Sequence, residues 1–153
     1  MPVSQAKLRI TDVGRDELVA IAPATHPWAG RKRIPPVDLA GQPLMIYDRS
    51  SQTSQLIERV LLEAGVFPQI AMEMDHLEAV TEMVRVGLGV AIVPRWAVRT
   101  EVERGEVLAL PIGKSGLSRR WGLALLEANH RSDTLKGFAR LCIERLPAAL
   151  GAG

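Results

Sequence analysis

Apolar positions along this chain switch between a spacing of two and a spacing of three to four, and each switch marks an element. Glu17-Leu18-Val19-Ala20-Ile21-Ala22 is a short β-prone run closed by Pro23. A connector rich in Pro and Gly follows, because the paired Pro35 and Pro36 force extended backbone. Residues 37–41 could manage one helical turn, and 43–47 predicts a buried strand. Over 53–64 the apolar residues Leu56, Ile57, Val60, Leu61 and Ala64 recur at helical spacing, and Gly65 supplies the stop. Residues 69–74 alternate as a strand. Asp75 is placed to cap the next helix, with Glu78 three residues on as its capping-box partner. Leu77, Val80, Met83 and Val84 give that helix an apolar face, and Gly87 ends it. The nearly continuous apolar run 88–93, stopped by Pro94, is what a strand covered on both faces looks like. A weaker helix over 95–103 and strands over 107–110 and 121–126 come next. A last helix over 133–146 carries Leu135, Phe138, Cys142 and Leu146 on one side.

The middle of the chain thus reads strand, helix, strand, helix, strand. Helical crossovers imply parallel strands, and such crossovers are right-handed. All three strands then end on one edge, where open α/β sheets bind their ligands. Three loops point there: 48–53, Asp75-His76, and Pro94-Arg95-Trp96. Ser50, Ser51, Gln52 and Thr53 stand where a helix begins. Its unpartnered amides, its dipole and these hydroxyls together suit a carboxylate, sulfate or phosphate, although Ser and Thr also serve simply as caps. Asp75 fits a cap better than a ligand contact, and His76 fits either a contact or a solvated first-turn residue. Trp96 suits core or lid packing better than a stacking platform.

With 153 residues, the chain is long enough for one domain or two small subdomains with a true core. One Cys excludes an intramolecular disulfide and a Cys-based zinc site, and Cys142 on an apolar helix face suits packing. No apolar run reaches membrane-spanning length, and the start has no apolar signal core, so a soluble, cytoplasmic domain is expected. Nineteen basic against seventeen acidic residues leave a formal net charge of only +2. The run Arg31-Lys32-Arg33 and the pair Arg119-Arg120 read as solvated loops, not as a groove-reading surface, so the chain alone is not expected to bind DNA. A hydrolase triad from Ser50 or Ser51 with His76 or His130 and Asp48 lacks the G-x-S-x-G elbow. Three dispersed histidines show no metal spacing, and Gly87-Leu88-Gly89 is a helix stop instead of a dinucleotide fingerprint. No enzyme, metal or cofactor is therefore expected.

Several segments in order resemble the effector-binding domain of LysR-type transcriptional regulators. They are Asp16 through Pro23 with His26-Pro27-Trp28-Ala29, then Val37-Asp38-Leu39 and Pro43-Leu44-Met45-Ile46, then Leu77 through Pro94, and Gly105 through Pro111. The resemblance runs from about Leu8 to Leu146. It implies an α/β fold like the type 2 periplasmic binding proteins, with two subdomains joined by crossing strands and a small-molecule inducer between them. On that basis one subdomain is complete, with parallel central strands, and the other is incomplete. Residues 1–36 are a crossover strand and connector, 37–94 the complete subdomain, and 95–153 the return crossover and the rest of the first subdomain. The family's N-terminal helix-turn-helix, through which such proteins reach DNA, and the start of the first subdomain are expected to be missing. The resemblance assigns Ser50, Ser51, Gln52, Thr53, Asp75, His76, Val93 and Pro94 to one half of the effector cleft. It also implies homo-oligomers through the helix over 53–64 and the strand over 69–74. Weak binding of an anionic effector by this half-site is the expectation. A solute-binding protein of the same fold, or a ligand-free dimerisation fragment, are the alternatives.

Overall fold

The computed structural model describes residues 7–127 and 132–151. The elements in order are β1 (Leu8–Pro23), a 3-10 turn (Pro36–Leu39), β2 (Pro43–Tyr47), α1 (Gln52–Glu63), β3 (Gln69–Met74) and α2 (Leu77–Arg85). Then come β4 (Val90–Pro94), a second 3-10 turn (Arg95–Val98), α3 (Arg99–Glu103), β5 (Val107–Pro111), β6 (Leu117–Leu126) and α4 (Asp133–Leu150). The chain divides into two units, Glu17–Leu117 and Met1–Asp16 with Ser118–Gly153. The larger unit therefore takes in residues 17–36 and 95–117 along with 37–94.

In the larger unit the strand order is β3-β2-β4-β1-β5. β2 is parallel to both β3 and β4, whereas β1 is antiparallel to β4 and β5. The alternation of the strands sends side chains to two faces. Leu18, Ala20, Ala22, Leu44, Ile46, Val90 and Ile92 join Ile57 and Leu61 of α1 on one face. Val19, Ile21, Met45, Ala91 and Val93 join Val80 and Val84 of α2 on the other. Both faces of β4 are thereby covered, and all five of its residues are buried. This is an α/β fold with a parallel centre, as the chain's periodicity predicts.

Both long crossover helices stop as their sequences require. Gly65 and Gly87 have φ of +73° and +86°, the left-handed region that side chains avoid. After α1, Val66 N donates to Leu61 O at 2.8 Å and Gly65 N to Leu62 O at 2.9 Å; after α2, Leu88 N and Gly87 N make the equivalent pair to Met83 O and Val84 O. Each closure is a Schellman motif.

Local details differ from the sequence expectations. α2 is capped at His76 without a side-chain bond, and exposed Asp75 lies one residue outside the cap. The helix opens with Val80 N donating to His76 O, so Glu78 is too close for a capping box. A lost cap costs about 1 kcal/mol, whereas burying Val80 and Val84 contributes about 1.5–3 kcal/mol each. Packing, not capping, holds α2. Leu88 is half exposed and outside β4, which begins at Val90.

In the smaller unit, the first half of β1 pairs with β6, and both strands start earlier than expected. Arg119 and Arg120 sit in β6, not in a solvated loop. Arg120 pairs with Asp12, and Arg119 forks onto Asp16 at 2.8 and 2.7 Å. The Asp16 side chain is fully buried, and Arg119 also lies over the Trp121 ring at 4.8 Å. α4 continues through Pro147 to Leu150, ending at Gly151 with φ +82°. Leu135, Cys142 and Leu146 are partly covered, but Phe138 lies at the margin of that stripe and is 55% exposed. Among the described residues, no helix is long and apolar enough to cross a membrane.

Candidate functional site

Because β2, β3 and β4 run parallel as immediate neighbours, the loops that follow them lie side by side on one edge of the larger unit. β2 is the pivot. The chain leaves it for β3 on one side over the α1 face, then returns past it to β4 on the other over the α2 face. The point where the order reverses is where open α/β sheets form a ligand crevice. Since β1 is antiparallel to β4, Glu17 and Leu18 reach the same edge, with Leu18 opposite Pro94.

The loop after β2 is built by its own side chains. Asp48 adopts φ +41°, and its Oδ1 accepts from Ser50 N at 3.1 Å and Ser50 Oγ at 2.6 Å. Such an Asx turn is the usual reason for an Asp in left-handed backbone. Ser51 is the N-cap of α1, its Oγ accepting from Ser54 N at 3.1 Å. Ser54 is buried and donates from Oγ to Tyr47 O at 2.9 Å, tying the helix start to the end of β2. Glu73 of β3 accepts from Arg49 N at 2.8 Å, so the loop after β2 is tied to the end of β3. On the far side, Arg95 Nε donates to Glu17 Oε2 at 2.7 Å.

The eight residues expected at the site thus fall at one edge, in different states. Gln52, Asp75 and His76 are exposed, and Thr53 is half-buried at the head of α1. Ser50 is exposed but its hydroxyl is held by Asp48, and Ser51 is engaged as a cap. Val93 is 1% exposed and packs into the α2-side core, so only its backbone and that of buried Pro94 bear on the rim. Ser50 Oγ donating straight to a carboxylate is turn geometry, not a nucleophile facing a base. His130 lies outside the described residues.

Sequence reasoning left out Glu17, Glu73 and Ser54. An Asp followed two residues later by Ser is a local sign of the turn. No local sign exists for Glu17, whose partner is 78 positions away.

Comparison with known proteins converges on one family. The family model described as LysR substrate binding domain matches residues 1–147. The chain is 35% identical over 122 residues to the HTH-type transcriptional regulator CbbR of Xanthobacter flavus, covering 78% of this chain and 36% of that protein. Its structure is similar to the Synechocystis PCC6803 CcmR regulatory domain in complex with 2-PG, with TM-score 0.81 at 23% identity over 94% of this chain and 69% of that one. It is also similar to the effector binding domain of QuiR in complex with shikimate, with TM-score 0.77 at 22% identity, covering 92% and 66%. The chain spans about a third to a half of the length of the curated relatives it matches. With the strand order, the rim and the family model in agreement, this chain belongs to the LysR substrate binding domain family.

Proposed function

We propose that this chain is the effector-sensing part of a LysR-type transcriptional regulator. In this reading it binds a small anionic effector at the carboxyl edge of β2, β3 and β4, and so controls DNA binding by a helix-turn-helix region outside the sequence. The observation that carries the reading is the reversal of strand order at β2, which brings three loops to one rim at the head of a 12-residue helix. The helix dipole and the amide-lined turn at such a head favour a carboxylate or phosphate. The neighbours in complex with 2-PG and with shikimate, a carboxylate, support that ligand class. Gln52, Thr53, Asp75 and His76 are the side chains on offer, and the backbone at 93–94 forms the floor. Sensing requires no chemical step at this rim. A regulator of this kind works in the cytoplasm, where its DNA is, and as a homo-oligomer through α1 and β3.

Gln52→Glu tests the reading. A carboxylate at the first position of α1 suits the helix dipole, so the fold is kept. The same charge within a few ångströms of a bound anion costs about 1–4 kcal/mol, roughly fivefold or more in affinity. Calorimetric titration with 2-PG, shikimate and inorganic phosphate should show saturable binding that falls by at least about fivefold in the variant, at an unchanged melting temperature. Equal binding by both proteins, or no binding of any of these anions, overturns it.

A further inference from the structure

The pair between Arg95 and Glu17 lies just beyond the backbone register of β1 and β4, which runs from Leu18↔Pro94 onward. Its place is what distinguishes it. Arg95 is the first residue after β4, directly beside the point where the strand order reverses. Its guanidinium turns towards β1, on the side away from β2, and meets the Glu17 carboxylate at 2.7 Å. Glu17 is itself seated there. A Cβ at Gly116 would lie 3.2 Å from Glu17 Oε1, so the backbone of that turn passes close against the carboxylate. Both partners keep substantial solvent access, at 45% for Arg95 and 33% for Glu17. Exposed pairs of this kind are worth at most about 1 kcal/mol and exchange partners readily.

We propose that Arg95 is an anion-selecting residue of the rim and that Glu17 is its resident counter-anion, which an incoming carboxylate or phosphate displaces. The Glu17 carboxylate and the effector's anionic group are chemically alike, and both are matched by the planar fork of a guanidinium. Without effector, Glu17 neutralises the cation and lowers the affinity of the rim for stray anions. With effector, the ligand takes the guanidinium and Glu17 is released into solvent. Selection follows from the competition, because only an anion that also gains contacts at the head of α1 can outbid a carboxylate tethered beside Arg95. This inference rests on the reading of the rim as an anion site.

Titration of the full chain with 2-PG, shikimate and inorganic phosphate tests it, using Glu17→Gln, Arg95→Gln and the double variant. Glu17→Gln should tighten binding about two- to fivefold, the range an exposed ion pair represents. Arg95→Gln should weaken it about tenfold, the loss of one charge-assisted contact, and the double variant should match Arg95→Gln alone. Thermal melts of each variant confirm folding. If both single variants bind within twofold of the parent while Gln52→Glu binds weakly, the competition is wrong and the site stands. Tighter binding in Arg95→Gln also overturns it. No binding by any form overturns this inference and the anion site together.

Discussion

Gly89 is the most tightly enclosed glycine among the described residues. A Cβ there would press far inside contact distance of the Pro43 carbonyl oxygen and lie 2.9 Å from Met45 Cε. The first obstacle is backbone, so nothing can swing aside. Gly89→Ala should cost about 1–3 kcal/mol, the usual penalty of an overpacked core, by prying the start of β4 from β2. Gly137 in α4 is the matched control, with nothing within 4 Å of its added Cβ. Gly137→Ala should instead gain about 0.5–1 kcal/mol from helix propensity. Urea unfolding of the two variants checks both signs, and equal midpoints would refute the steric account. At this scale the sequence is informative about residue type but not always about role. Ser51 falls within the run legible as caps because a capping bond reaches only three positions along the chain. Asp75 is not, because one residue of slip in the helix start, set by where Val80 and Val84 must reach the core, transfers the cap to His76.

Between elements, β1 and β6 of the smaller unit are stitched by charge. The Asp12 carboxyl is held below its ordinary range, first by the hydrogen bond from Arg120 and next by the Gly14 amide. A carboxyl lowered in the folded state adds stability above its unfolded value of about 3.9; that share is lost as pH falls through the folded value. Removing the partner with Arg120→Gln should therefore move the Asp12 titration midpoint upward, read by NMR of the carboxyl carbon. An unmoved midpoint would show that Arg120 is not the main cause. These pairs also explain what could be read in advance. The segment 43–94 is legible almost residue by residue, because its periodicity and glycine stops are local and its crossovers are short. The first half of β1 is not. Asp12 and Asp16 look like loop residues until their partners in β6, 108 and 103 positions away, are brought alongside. Long-range pairing overrides local composition here, as it did for the Arg119-Arg120 pair.

Across the whole molecule, apolar burial is uneven in a way that bears on assembly. Both core clusters belong to the larger unit; among the described residues of the smaller one only Val13 and Asp16 are buried. The larger unit nevertheless ends in an open edge, since β3 is the terminal strand of its sheet and bonds to β2 on one side. Four of the six β3 residues are exposed. Natural sheets protect such edges with charge, proline or a bulge. This one has a register shift opposite Leu44 and Met45 and a single glutamate, Glu73, which is already engaged by Arg49 N. Beside it stand Phe67, 78% exposed in the link from α1, Leu62 on α1 at 51%, and Met72 on the strand itself at 40%. Unpaired backbone groups flanked by large apolar side chains favour pairing with a second copy. The expected result is a concentration-dependent dimer in light scattering coupled to size exclusion. Phe67→Glu places a charge beside the edge without touching either core cluster, so it should shift the equilibrium to monomer while leaving the melting profile of the monomer intact. A parent chain that stays monomeric up to millimolar concentration would remove the edge from the assembly, and so would a dimer indifferent to Phe67→Glu. In the first case the protection of β3 lies in its register shift; in the second the copies meet elsewhere, with the exposed apolar side chains of α4 as the next surface to vary.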